Sequence, residues 1–225
     1  MTEVRRFDDA AALGRALARE IVDARPSLLG CPAGRSLLST YRALAGSSLD
    51  ATIVMMDEYV PVPPPGAHHS CRGFALREIA APLGLPAERV WLPDPDDPAA
   101  YDERIAAAGG VDLFLLASGA SDGHVAMLAP GSPRDGRTSL VDLAETTRRD
   151  NLRTFPEFAS LDEVPHRGVS VGLGVIGEAR ALRLVLHGED KRRAVDRLLA
   201  LDAFDPEWPA SIVHDHPDAQ ILVEP

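Results

Sequence analysis

Apolar positions along this chain switch between two periods, and the switching predicts strands alternating with helices. Val111-Asp112-Leu113-Phe114-Leu115-Leu116 is a nearly continuous apolar run, the mark of a strand buried on both faces of a parallel sheet. Comparable runs predict strands at 27–30, 52–56, 89–92, 169–172, 182–186 and 220–223. Between them the spacing turns helical. Ala11, Leu13, Leu17, Ile21 and Val22 share one face of a helix that Asp8 or Asp9 can cap, and Leu37, Leu38, Tyr41, Leu44 and Ala45 form a second apolar face. Further helices are expected near 69–82, 98–108 and 189–199, with a proline-rich connection over 60–66. Strand and helix in alternation imply right-handed crossovers. The expected fold is therefore α/β: a mostly parallel, Rossmann-like sheet with helices on both faces, in three layers. With 225 residues, no internal repeat and no interdomain linker, residues 1–225 are expected to form a single domain.

Composition narrows the partners. Thirty-four acidic residues against 23 Lys and Arg give a formal charge of -11, which argues against a nucleic-acid groove, so any anionic ligand needs a local cationic pocket. No apolar run is long enough to span a bilayer, and Met1-Thr2-Glu3-Val4-Arg5-Arg6 lacks the apolar core of a secretory signal, so a cytoplasmic location and no membrane partner are expected. Two cysteines, Cys31 and Cys71, make no disulfide framework and no paired metal-ligand spacing. His68-His69 and the pair His214 and His216 invite a metal reading, but neither pair has a supporting ligand pattern, so no metal is expected. Ser70 lacks a nearby base and reads better as a helix cap or a hydroxyl contact than as a nucleophile.

Chemistry gathers where strands end. In a parallel sheet these ends share one edge, so Gly34-Arg35-Ser36, Asp57-Glu58-Tyr59 and Asp122-Gly123-His124 can converge on one site. The first loop enters a helix whose free N–H groups favour an anion, with Ser36 as an added donor. In the third, His124 can move protons near neutral pH and Asp122 can orient it. Each feature also has an ordinary explanation: a glycine turn with an N-cap at 34–36, a helix cap at Asp57, and a turn with a solvated imidazole at 122–124.

Seven short segments in register resemble one known family. They are Pro32-Ala33-Gly34-Arg35-Ser36, Met56-Asp57-Glu58-Tyr59-Val60, Asp122-Gly123-His124, Asn151-Leu152-Arg153-Thr154-Phe155, Ser170-Val171-Gly172-Leu173-Gly174, Gly188-Glu189-Asp190-Lys191 and Ser211-Ile212-Val213-His214-Asp215-His216. Their order and spacing resemble the glucosamine-6-phosphate deaminases, which share a superfamily with the 6-phosphogluconolactonases. The resemblance spans nearly the whole chain. It implies a sugar-phosphate substrate, no cofactor, and ring opening followed by C2/C1 proton transfer and ammonia release. Asp57 then corresponds to the base, with Glu58 and Tyr59 shaping its strand end. His124 corresponds to the ring-opening group and Asp122 to its orienting acid. Arg153 and Lys191 correspond to the phosphate cations, assisted by Gly34, Arg35 and Ser36. Arg153 as a surface cation and Lys191 as a solvent-facing lysine remain the plain alternatives, and a homo-oligomer is left open.

The chain also departs from the pattern. Ala129 stands where the deaminases usually carry a glutamate beside the histidine, and alanine can neither accept a hydrogen bond nor tune an imidazole. Arg35 replaces a second glycine of the loop. The stretch from His124 to Gly131 has some likeness to the lactonase branch, in which His124 would be the base for water attacking a lactone. Asp57-Glu58-Tyr59 and the segment 211–216 look more like the deaminase branch. Loss of the glutamate with the cations retained also fits a non-catalytic sugar-phosphate sensor.

Overall fold

Four-residue runs with every side chain buried build the centre of the sheet, because a strand covered by helices on both faces has no polar side to present. A computed structural model describes residues 2–64 and 66–224; Pro65, within the proline-rich connection, lies outside them, as do Met1 and Pro225. In chain order the elements begin with β1 (Glu3–Arg6), α1 (Ala10–Ala24), β2 (Leu28–Cys31), α2 (Leu38–Leu44), β3 (Thr52–Met55) and β4 (Asp57–Val60). Then come α3 (Cys71–Ala75), joined by a π-helical turn to α4 (Ala81–Leu83), β5 (Val90–Trp91), α5 (Pro98–Ala107) and β6 (Leu113–Ala117). The chain finishes with β7 (Ser139–Asp142), α6 (Glu145–Thr154), β8 (Arg167–Ser170), α7 (Leu173–Gly177), β9 (Leu182–His187), α8 (Arg192–Leu199) and β10 (Ala219–Glu224).

Seven strands pair in the order β1-β10-β9-β6-β2-β3-β5, all parallel. One face packs against Leu13, Leu17 and Ile21 of α1 with Tyr41 and Phe74, and the other against Tyr101, Ile105, Ile176 and Leu198. The expected three-layer α/β architecture is therefore what the chain adopts. Asp9 rather than Asp8 caps α1, its Oδ1 accepting from the Ala12 N–H at 2.6 Å. Ser70 is a cap as well, its Oγ accepting from the Gly73 N–H at 2.8 Å.

Two expectations need correction. Asp57-Glu58-Tyr59 is not the end of a strand of the parallel sheet. After Met56 the chain enters β4, which joins a second, three-stranded antiparallel sheet in the order β4-β8-β7. The strand expected at 169–172 is β8 and belongs to this small sheet rather than to the parallel one.

The connectivity fixes where a ligand can sit. From β2 the chain runs through α2 to β3 on one side, whereas β6 leads on to β9 and β10 on the other. Loops leaving β2 and β6 therefore part at a topological switch point, and a crevice opens beyond the carboxyl ends of these two neighbours.

Candidate active site

That crevice holds a cavity of about 210 Å³ whose lining comes from the ends of β2, β6 and β9, from β4, and from α3 and α6. Along the sheet edge the order is β9, β6, β2, β3, so the loop carrying Lys191, after β9, and Asp57, two residues beyond β3, enter the cavity from opposite ends of this row of strands. Between them lie His124, from the loop after β6, and Gly34, Arg35 and Ser36, from the loop after β2.

Asp57 opens β4 opposite Ser170 and is 7% exposed. Its Oδ1 accepts the Cys71 thiol proton at 3.1 Å. Burial pushes its carboxyl up from 3.8 to about 6; the Cys71 hydrogen bond and the His124 charge oppose the rise and the Glu58 charge adds to it. A carboxyl in that range is poised to take and return a proton near neutral pH. The Cys71 thiol is itself pushed well above its usual range, by burial first and then by the Asp57 and Glu58 charges, and so remains a donor.

Glu58 does something other than its sequence position suggests. Its Oε1 accepts from the Tyr59 and Cys71 N–H groups, each at 3.0 Å, and its Oε2 from the Arg72 N–H at 2.9 Å. The carboxylate caps the first turn of α3, where free N–H groups need an acceptor. It does not line the cavity, which corrects its expected place among the substrate-binding residues.

His124 and Asp122 form a fixed pair. The His124 ring Nδ1 lies 2.8 Å from Asp122 Oδ1, which also accepts from the His124 backbone N–H at 3.1 Å. Asp122 Oδ2 accepts from the Thr146 hydroxyl on α6. Burial works to raise the Asp122 carboxyl, but the hydrogen bonds from His124 and Thr146 outweigh it and hold the group well below the usual range. An ionised carboxylate on Nδ1 takes that nitrogen's proton as a hydrogen bond, which commits Nε2 to the cavity chemistry. Glycine is required at 119, where a Cβ would sit 2.2 Å from His124 Nδ1 and 2.4 Å from Asp122 Oδ1. At Gly123 the backbone has φ +69°, and a side chain there would strike the Trp208 ring.

Positive charge collects at the other end. Lys191 follows Gly188 in a 3₁₀ turn and donates from Nζ to the Ser118 carbonyl at 2.7 Å. Burial lowers its pKa, the Asp150 and Asp190 charges oppose this, and the neighbouring cations Arg35 and Arg153 add to the lowering. Mutual repulsion among the three cations is relieved by an anion, so this corner supplies the local charge that a chain of net charge -11 otherwise lacks. Arg153 is not part of the lining. It is 59% exposed and bridges Asp150 at 3.9 Å and Asp190 at 3.6 Å, at the rim.

Other residues in or behind this lining escaped the sequence reading. Cys71 gave no signal beyond being a cysteine with no partner, Thr146 lies in a helix without apolar periodicity, and His187 sits at the last position of β9. Ala129 contributes no acid; its carbonyl accepts from Ser132 Oγ at 2.7 Å in a turn. His214 and His216 each place Nε2 on a backbone carbonyl, that of Leu198 at 3.0 Å and of Ala179 at 2.8 Å. No helix among the described residues is long and apolar enough to cross a membrane.

Comparison with known proteins places the chain in a family. A curated glucosamine-6-phosphate deaminase of Pseudarthrobacter chlorophenolicus is 38% identical over 218 residues, covering 91% of this chain and 82% of the relative. Among solved structures, a monomeric glucosamine-6-phosphate deaminase superposes with a TM-score of 0.89 at 27% identity, covering 98% of this chain and 96% of that one. A 6-phosphogluconolactonase from Thermotoga maritima shares the fold, with a TM-score of 0.73 at 18% identity over 99% of this chain and 98% of that one. The sequence profile of the glucosamine-6-phosphate isomerases/6-phosphogluconolactonase family matches residues 9–222, and the chain belongs to that family.

Proposed function

We propose that the protein is an enzyme of the deaminase type, converting an amino-hexose 6-phosphate to the corresponding ketose phosphate with release of ammonia. The observation that carries this reading is the placement of a buried carboxyl with a pKa near 6, Asp57, in the same cavity as the Asp122-oriented imidazole of His124. Relatives named as glucosamine-6-phosphate deaminases at 30–38% identity support the choice of substrate.

The roles follow from the chemistry of each group. His124 moves the proton between O1 and the ring oxygen as the C1–O5 bond breaks, giving the open-chain aldehyde. Asp57 takes the proton from C2, the C–H electron pair becomes the C1–C2 double bond, and the C1=O π pair moves to O1, which takes up a proton to give the enolamine. The proton is returned at C1, leaving a C=N bond at C2 that water hydrolyses to the ketone and ammonia. Lys191, Arg35, Ser36 and the Gly34 backbone hold the phosphate, and Arg153 assists from the rim. All of these groups come from one chain.

Incubating the purified protein with glucosamine 6-phosphate and following ammonia and fructose 6-phosphate together tests the proposal; both products are expected in equal amounts. A second reading, hydrolysis of a phosphosugar lactone with His124 as base for water, is favoured by one observation, the methyl group in place of a carboxylate at Ala129. Acid release from 6-phosphogluconolactone with no ammonia from the amino sugar would establish it instead. Thermal stabilisation by the sugar phosphate with neither product would identify a sensor.

A further inference from the structure

His187 is the last residue of β9, and Glu224 is the last of β10. The two strands are parallel neighbours and the register sets these residues directly opposite each other. His187 Nδ1 lies 2.5 Å from Glu224 Oε2, and the same carboxylate oxygen accepts the Gly188 N–H at 3.3 Å. The carboxylate thus holds the ring and also the first residue of the turn that delivers Lys191. His187 lines the cavity beside Gly188, Asp190 and Lys191, at the cationic end and away from Asp57.

An ionised carboxylate can only accept, so Nδ1 carries the proton of that contact and Nε2 is the ring nitrogen left for a ligand. A ring held this way suits a phosphate monoester. Nε2 accepts from the P–OH of the monoanion, or donates to an oxygen of the dianion once the ring holds the proton, so the group is matched in either form. Neither Lys191 nor Arg35 can do the first of these, because both are donors only.

We propose that His187, oriented by Glu224, is a further ligand of the substrate's phosphate, with Glu224 as its positioning residue. The inference rests on the placement of the phosphate beside Lys191 in the functional reading above. Its prediction is about anion binding and does not depend on turnover.

Calorimetric titration with inorganic phosphate tests it. His187→Ala should weaken phosphate about tenfold or more, the loss expected for one hydrogen bond to a charged group. Glu224→Ala should weaken it by a similar factor, and Glu224→Gln, whose amide oxygen still accepts from Nδ1, should recover most of the affinity. In the His187→Ala background, Glu224→Ala should cost clearly less than it does alone, because most of its effect runs through the ring and only its contact with the Gly188 N–H remains to be lost. A purely structural Glu224 would instead add its full loss to the double variant. Thermal unfolding of each variant reports folding separately, and the isosteric Glu224→Gln keeps the test open if the alanine variants are unstable. Wild-type affinity in His187→Ala, no phosphate binding by the wild type, or additive losses would each overturn the proposal. If the predicted pattern holds but glucosamine 6-phosphate gives no ammonia, the functional reading fails and this one stands.

Discussion

The Cys71 thiol donates to Asp57 Oδ1 at 3.1 Å, and the backbone of Cys71 is held in turn by Glu58, the residue next to Asp57. Carboxyl, donor and clamp therefore form one closed loop of contacts across β4 and α3. A thiol donor lowers the pKa of Asp57 against the rise that burial imposes. Cys71→Ala should raise that pKa further and move the acid side of the kcat/KM profile to higher pH, whereas Cys71→Ser, which keeps a donor, should stay near wild type. Rate profiles between pH 5 and 8 distinguish the two.

Asp57→Asn should lower kcat by about 100- to 10,000-fold, the usual worth of a general base. KM should change far less, since the carboxyl lies at the far end of the cavity from the cations. Steady-state ammonia release measures both.

The same substitution should stabilise the fold at neutral and alkaline pH. The folded-state pKa of about 6 lies above the ordinary 3.8, so between these values the unfolded chain has lost a proton that the folded chain keeps. Stability from protonated Asp57 is present below 3.8 and is lost as pH rises through 6, in an amount of about 3 kcal/mol. Asp57→Asn should therefore melt above wild type at pH 8, with the gap closing toward pH 4. Catalysis has the opposite sign and should fall as pH drops below 6, because the base must be ionised to accept a proton.

Gly119→Ala should separate His124 from Asp122, since the new Cβ has no room beside either. Overpacking of this kind costs typically about 1–3 kcal/mol, and activity should fall with the loss of the oriented ring. Denaturant melts and turnover check the two effects.

Lys191→Ala and Arg153→Ala should differ. Lys191 is half-buried at the cavity, and its loss should raise KM about tenfold or more. Arg153 is 59% exposed and screened by solvent, so its loss should raise KM only a few-fold, and less so at high salt. Michaelis curves at two ionic strengths separate them.

Burial on both faces made the central strands readable: Leu113–Ala117 and Leu182–His187 announce themselves by apolar runs. Glu3–Arg6 does not, because it is an edge strand with no fully buried side chain, and Ser139–Asp142 is similarly exposed. Helix α6 is equally silent in the sequence, since Thr147 and Arg148 are its only buried residues and neither marks an apolar face. The strand Asp57–Val60 carries no local signal of its own sheet because its pairing partner lies more than 100 residues away. Among site residues, Asp122 and His124 are neighbours in sequence and could be paired by eye. His187 and Glu224 meet only because two strands are adjacent in the sheet, and nothing local in either segment signals it.

Mounting Asp57 on a paired strand has a consequence for how the site must operate. A carboxylate on a free loop can wait in bulk water and swing inward when a ligand arrives. Here the ladder to Ser170 on one side and the thiol on the other deny it that freedom. In the proposed reaction the base is thus in place before anything binds, and the sugar must bring its second carbon to the carboxylate.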